Sequence, residues 1–234
     1  MYVRNLLFAV FVLFGKVCSE TINENILQDN DGYLPVDMND PDYFHCSPDE
    51  DTPSGRLYRV CIDKATKEDP VDIVEKELRL GAYPDVIHYN SKTPVIIACL
   101  ARNFTKSVRL LADRGGSLLK TESEGWNSCQ IACFEGIVDI VRLCYEKGVD
   151  LINNSIGAKY HYLHYACAGK TWGHAAATRL LLEIGVDPDV RSLESGATCM
   201  EEYADFDNVK DVLLEFGAKT FKMKRKRRRV HEDL

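Results

Sequence analysis

The chain has 234 residues, of which 45% are hydrophobic and 28% are charged, and its formal net charge is −7. This length supports one long domain or two short ones with a buried core, and the apolar content excludes a disordered chain. The 15 Gly and 8 Pro exclude a collagen-like protein, and 9 Cys are too few for a small disulfide-rich scaffold.

Charge divides the chain into three segments. Residues 20–55 hold ten Asp or Glu and no Lys or Arg, residues 56–218 hold 24 acids and 19 bases, and residues 219–234 hold eight bases and two acids. The middle segment alone has the mixed charge of a folded body. We therefore expect an acidic flexible arm over 20–55, a folded domain over 56–221 and a basic tail over 222–234.

The first nineteen residues, 1–19, have the order of a secretory signal peptide. Leu6–Gly15 is an unbroken apolar run, and Val17 and Ser19 place small residues at −3 and −1 of a cut before Glu20. The run is too short for the ~20 residues that a membrane-spanning helix needs. We expect cleavage there and no stable membrane insertion afterwards, with a buried N-terminal helix or an uncleaved anchor as the alternatives.

The folded domain repeats at an interval of about 33 residues. Three Ala-Cys pairs, at Ala98, Ala132 and Ala166, are spaced 34 residues apart. Five glycines follow apolar helical patterns at intervals of 32 to 37 residues: Gly81, Gly115, Gly148, Gly185 and Gly217. Glycine suits the left-handed position that ends a helix, and Thr93-Pro94 suits the start of one.

These residues resemble the ankyrin repeat, whose pattern is G-x-T-P-L-H-x-A, a Gly four residues later, an I-V-x-L-L helix and G-A-D-x-N. The third unit matches well from Gly125, with Ala132, Gly136 and Ile140-Val141 in register. The resemblance implies an all-α ankyrin-repeat solenoid of about five repeats over 56–221, built from paired antiparallel helices with short hairpin loops.

Only the second unit is expected to keep the Thr-Pro start of the repeat. The third unit has Asn127-Ser128 and the fourth has His161-Tyr162 in its place. We expect these units to lose part of the usual local hydrogen-bond pattern and the domain to be of modest stability.

Core packing is the expected role of the cysteines in the domain. Three of them share one repeat position, where small buried hydrophobic side chains are expected: Cys99, Cys133 and Cys167. The same role is expected for Cys129, because its spacing of four from Cys133 on one helix is poor disulfide geometry. Cys46 and Cys61 are the one pair that merits a test for a bridge.

Residues that could carry catalysis or hold a cofactor are scarce. No glycine-rich phosphate loop follows a strand, and no nucleophile lies beside a plausible base. His161, His164, Cys167 and His174 come closest to a metal site, but His164 falls on the histidine position of the repeat and no paired C-x-x-C is present. We expect no enzymatic activity, no cofactor, no metal and no small-molecule substrate.

Aromatic residues mark the expected partner surface. In the ankyrin family the hairpin tips and inner helices form a concave binding surface, and aromatic anchors dominate many interfaces. The resemblance therefore implies a monomer that binds a protein partner on this surface, with plain packing as the alternative role for each candidate contact: Trp126, Tyr160, Tyr162 and Trp172.

Two sequons and two tail patterns suggest a route through the cell. Asn103 and Asn153 begin N-x-S/T sequons at positions expected to be exposed. The last four residues resemble the K-D-E-L and H-D-E-L retention signals, with the two acids swapped: His231, Glu232, Asp233 and Leu234. Seven bases precede them: Lys222, Lys224, Arg225, Lys226, Arg227, Arg228 and Arg229. This run is typical of a nuclear import signal read by an import receptor or of a polyanion-binding patch, with a solvated tail as the alternative.

Taken together, the sequence predicts a non-enzymatic protein-interaction module of the secretory pathway, either secreted or retained in the endoplasmic reticulum. A more specific version is a secreted effector that reaches the nucleus of another cell through its tail. The alternative is a nuclear or polyanion-binding protein in which the tail carries the function.

Overall fold

The structure is a computed structural model that describes residues 51–63, 68–87, 91–101, 104–153, 160–203 and 205–220. Several predictions concern residues outside these ranges: the signal peptide, most of the acidic arm, Cys46, Asn103, the seven-base run and the terminal four residues. In the described part of the chain, no helix is both long and apolar enough for a membrane crossing.

The described residues form ten α-helices, arranged as five consecutive pairs. In chain order they are α1 Pro53–Ile62, α2 Val71–Arg79, α3 Pro94–Leu100, α4 Thr105–Asp113, α5 Ser128–Glu135, α6 Val138–Glu146, α7 Tyr162–Cys167, α8 Trp172–Glu183, α9 Cys199–Tyr203 and α10 Asp207–Glu215. Isolated antiparallel bridges, Thr121 with Asn127 and Arg191 with Thr198, close hairpin turns before α5 and α9. The predicted all-α architecture is confirmed.

The helices stack in two layers. The first helix of each pair packs against the first helix of the next, and the second helices pack in the same order. Ala98, Ala132 and Ala166 have no exposed surface, so the first helices can approach their partners closely. The first unit has both helices, and α1 begins at Pro53, within the segment expected to be an arm, because the Thr52 hydroxyl accepts a hydrogen bond from the Gly55 amide.

The third and fourth units, which lack Thr-Pro, keep their helix caps by other means. Asn127 accepts from the Gln130 amide, and the Gln130 side chain accepts from the Asn127 amide, so α5 starts with a complete capping box. The His161 ring caps α7 by accepting from the Leu163 amide at 3.1 Å. The expected loss of local hydrogen bonds in these units was wrong, because amide and imidazole acceptors replace the hydroxyl.

Polar contacts recur between neighbouring units at nearly the repeat interval. Asp85 accepts from the Ser117 amide at 2.7 Å and pairs with Lys120 at 3.0 Å. Asp189 makes the same two contacts with the amide and the ammonium group of Lys219, at 2.9 and 3.1 Å. Each carboxylate therefore fixes the chain where it leaves the second-helix layer and turns toward the next hairpin position.

The cysteines of the core have two different roles. The thiols of Cys99, Cys133 and Cys167 are fully buried, as predicted. Cys129 of α5 and Cys144 of α6 instead form a disulfide, with their Cα atoms 6.1 Å apart. The packing role expected for Cys129 was therefore wrong, since its partner lies on the facing helix of the same pair rather than one turn away.

Candidate aromatic groove

An aromatic groove crosses the exposed side of the first-helix layer. Its members are the partly or largely exposed rings of five residues: Trp126, Phe134, Tyr160, Tyr165 and Tyr203. The centroid of the Trp126 ring lies 4.9 Å from that of Tyr165 and 5.4 Å from that of Phe134, and Tyr160 lies 6.0 Å from Tyr165. These distances are typical of favourable aromatic pairs.

Three units contribute to the groove, which encloses a pocket of about 400 Å³. The hairpin before α5 supplies Trp126, α5 supplies Phe134, α7 supplies Tyr165 and α9 supplies Tyr203. A smaller pocket of about 180 Å³ shares Trp126 and Phe134 and extends to Leu100 of α3. Exposed rings that line an open pocket can bury apolar surface against a partner without first rearranging the core.

The structure separates the four predicted contact residues. Trp126 and Tyr160 belong to the groove, whereas Trp172 is 78% exposed at the start of α8 and is not among the residues that line either pocket. Tyr162 is only 1% exposed, so its ring packs in the core and is not available to a partner. That role for Tyr162 is corrected: it occupies the first position of α7, where Pro94 and Ser128 are buried in the preceding units.

Three groove residues were missed by the sequence analysis: Phe134, Tyr165 and Tyr203. One of them carries a signal that a repeat alignment contains. Phe134 lies 34 residues after Leu100, which is also exposed and lines the smaller pocket. An apolar residue repeated at an exposed position of the first helix indicates a surface rather than a core. Tyr165 has no such signal, because Ile131, 34 residues before it, is buried, and Tyr203 has none either.

Acidic side chains border the groove. Glu124 is exposed and lines both pockets, and Glu135 lines the smaller one. The Glu202 carboxylate accepts a hydrogen bond from the Ser195 hydroxyl. Burial is the main cause of the raised pKa of the Tyr203 phenol, and the nearby charge of Glu202 is the second cause. Lys92 is the basic residue among those that line the smaller pocket. The local charge of the groove is therefore negative.

The histidines beneath the groove are structural. His161 Nε2 donates to the Ile152 carbonyl at 2.8 Å while Nδ1 caps α7, and His164 Nε2 donates to the Ala197 carbonyl of the next hairpin at 3.0 Å. Burial is the main cause that lowers the pKa of both rings, which favours the neutral form. Among the described residues, no group of three His, Cys, Asp or Glu is placed to hold a metal ion.

These two rings predict a loss of stability in mild acid. Because the folded pKa of each lies below the ordinary value of about 6.5, the unfolded chain binds protons more readily below that pH. The free energy of unfolding should be flat between about pH 6.5 and pH 8, below the range in which unfolded thiols titrate, and should fall below about pH 6.5. Carboxylates with a lowered pKa, such as Asp189, should lower the free energy of unfolding only below about pH 4, where they become protonated in the unfolded chain.

Urea unfolding at a series of pH values measures this effect. His161→Asn retains a capping acceptor but does not titrate, so its stability should fall less steeply with acid than that of the wild type. A variant profile parallel to the wild-type profile would show that His161 is not responsible.

Asn153 is exposed, and its side-chain amide nitrogen Nδ2 donates to the Asp150 carboxylate at 2.7 Å. Its Ser155 lies outside the described residues. Glycosylation at Asn153 and at Asn103 stays a prediction.

The comparison with protein families agrees with this architecture. The family described as Ankyrin repeat matches residues 160–193, which contain α7 and α8 and the start of the following hairpin. No curated protein matches the chain. The fold is an all-α ankyrin-repeat solenoid, a class built from protein-interaction modules.

Proposed function

We propose that this protein is a non-enzymatic adaptor whose aromatic groove binds a protein partner. The observation that carries the proposal is the set of five neighbouring rings around an open pocket on the first-helix layer. A protein normally buries aromatic side chains, and a cluster left accessible on a rigid helical frame offers the kind of anchor that dominates interface energies. The ankyrin-repeat match supports the interaction class.

A photo-crosslinking pair tests the groove. A benzophenone amino acid is placed at Phe134, where it replaces one exposed ring by another, and in a matched protein at Trp172, which is exposed outside the groove. We expect a specific crosslinked partner from the Phe134 position and none from the Trp172 position. Tyr165→Ala should lower the yield by about tenfold or more, as expected for an interface hot spot.

The control is Trp172→Ala, which should leave both the crosslink and the thermal unfolding curve unchanged. Equal crosslinking from the two positions, or a yield that Tyr165→Ala does not change in a folded protein, would refute the groove as the binding surface.

We also propose that the protein acts in the secretory pathway, where it is exported or retained in the endoplasmic reticulum. The signal-like order of residues 1–19 supports this location, and so does the Cys129–Cys144 disulfide, since stable disulfides form mainly in oxidising compartments. The remaining described thiols are protected by burial, which raises the pKa of Cys61 and Cys99 to about 12. Export of a variant that lacks Leu234, compared with the full chain, distinguishes retention from secretion.

A further inference from the structure

The last residue that the structure describes, Thr220, follows the fifth pair of helices. The Asp189 carboxylate accepts a hydrogen bond from the Lys219 amide and pairs with the Lys219 ammonium group. Asp85 makes the equivalent contacts with the Ser117 amide and the Lys120 ammonium group. After Ser117 the chain continues into the hairpin that begins at the Thr121 bridge. Residues after Thr220 therefore start from the position of a next hairpin, on the hairpin side of the solenoid.

The last described first helix leaves a face available beside this exit. In the part of the chain that the structure describes, α9 is the final member of the first-helix layer, and it packs against α7 on one side. It carries Glu201, Glu202 and Tyr203, and the Tyr203 ring lines the groove. Glu202 and Tyr203 therefore belong to the described unit that directly precedes the basic segment in the chain.

The charges are complementary. Residues 222–229 contain seven Lys or Arg in eight positions. The groove is lined by Glu124 and lies close to the charge of Glu202, and residues 56–218 as a whole hold five more acids than bases, 24 against 19. Cationic side chains also bind well to the faces of Trp and Tyr rings, with Trp the strongest partner.

The length of the segment is sufficient. Nine residues separate Thr220 from Arg229, and an extended chain of that length spans about 30 Å. The groove extends over α5, α7 and α9, and neighbouring packed helices are about 8–10 Å apart, so its width is about 20 Å. A tethered segment of this kind has an effective concentration in the millimolar range, which makes even a weak contact well populated.

We propose that the basic segment 222–229 binds in the aromatic groove of its own chain, with its Lys and Arg side chains stacked on the rings between Glu124 and Glu202. The segment then covers the surface that binds the partner, and the groove in turn covers the basic run. This inference rests on the proposed function, since it describes how the same groove is regulated. A partner must displace the segment, which lowers its apparent affinity.

The fluorescence of Trp126 reports directly on whether the basic segment occupies the groove. The chain has two tryptophans, so Trp172→Phe leaves Trp126 as the single tryptophan of the full chain, which is excited at the red edge of the absorption band where the 11 tyrosines do not absorb. Acrylamide quenching is measured with the native tail and with all seven tail bases replaced by Gln. We expect the neutral tail to raise the quenching constant about twofold, because a stacked cation no longer shields the ring.

Salt and the groove acids provide independent tests. At about 1 M salt the Debye length is about 3 Å, so the protein with the native tail should have the same quenching constant as the protein with the neutral tail. Glu124→Gln with Glu202→Gln should do the same at low salt, whereas the matched control Glu183→Gln, on α8 in the second-helix layer, should not. A synthetic peptide of residues 222–229 should restore protection when added to the neutral-tail protein.

Three results would overturn the inference. The first is an equal quenching constant for the native and neutral tails. The second is protection that increases with protein concentration, which would assign the tail to a second copy of the chain. The third is protection that persists after the Glu124 and Glu202 substitutions. If the Phe134 crosslink still depends on Tyr165 in that case, the proposed function stands and only the regulation by the tail fails.

Discussion

Leu181→Ala is expected to lower the free energy of unfolding by about 2–5 kcal/mol, the range observed for leucine truncation in a packed core. Leu181 has no exposed surface and lies in the last turn of α8. That helix packs against four others, α5, α6, α7 and α10, so the cavity would form in a central element of the solenoid. A loss of this size is a large fraction of the 5–15 kcal/mol that is typical of a folded domain.

The position within the solenoid adds a second expected effect. Each unit of a repeat protein depends on the contacts with its neighbours, and the fourth unit connects the fifth to the first three. Weakening it should allow the fifth unit, with Tyr203 and the end of the groove, to unfold separately. Urea unfolding followed by circular dichroism would then show a lower midpoint and a reduced slope.

Leu193→Ala is the matched control for this truncation. Leu193 is 73% exposed on the hairpin before α9, so the same deletion of atoms leaves no cavity. Its effect should stay within about 0.5 kcal/mol. Similar losses for the two variants would contradict a core role for Leu181.

The repeat architecture could be predicted because its signals are local. The Ala-Cys pairs lie in the first helices at Ala98, Ala132 and Ala166, and the five glycines that follow second helices have positive φ values: Gly81, Gly115, Gly148, Gly185 and Gly217. A short side chain and a left-handed residue are required by the geometry of one unit alone. The caps could not be predicted residue by residue, because Asn127 and His161 supply the same acceptor as Thr93 by different chemistry.

The groove could be predicted only in part, because it depends on contacts between units. Trp126 and Tyr160 could be predicted as contact residues because the resemblance places aromatic anchors at the hairpin tips. Tyr162 is also an aromatic residue near this hairpin, but its side chain is buried. Only its repeat position, which it shares with the buried Pro94 and Ser128, distinguishes it from the exposed rings. An aromatic residue in a repeat protein is therefore better interpreted by its repeat position than by its type.

The disulfide could not be predicted from sequence spacing. Cys129 and Cys144 are 15 residues apart on two helices, and their Cα separation of 6.1 Å results from the way α5 and α6 pack within one unit. Their spacing on one helix excludes a disulfide between Cys129 and Cys133, but it does not test a bridge from Cys129 to a cysteine on the facing helix. The register of the two helices decides whether the thiols meet, and the repeat pattern alone does not specify it to within one residue.

Replacing Cys129 and Cys144 together by alanine is expected to cost about 3 kcal/mol, the loop-closure entropy for a loop of this length. Alanine avoids leaving a buried hydroxyl without a partner at either position. The matched control is Cys99→Ala with Cys133→Ala, which removes two buried thiols that form no bridge. Urea unfolding of the two double variants isolates the crosslink, because both lose the same number of sulfur atoms from the core.

The same pair reports the compartment. Cells are lysed directly into denaturant with an alkylating reagent, because both thiols are buried in the folded protein. Mass analysis should then find Cys129 and Cys144 protected in protein from an oxidising compartment and modified in protein made in a reducing cytosol. Protection must be lost on reduction of the unfolded chain, whereas the buried free thiols become reactive on unfolding alone. Alkylated Cys129 and Cys144 in the native host, or equal costs for the two double variants, would contradict a structural disulfide and with it the strongest structural support for a secretory location.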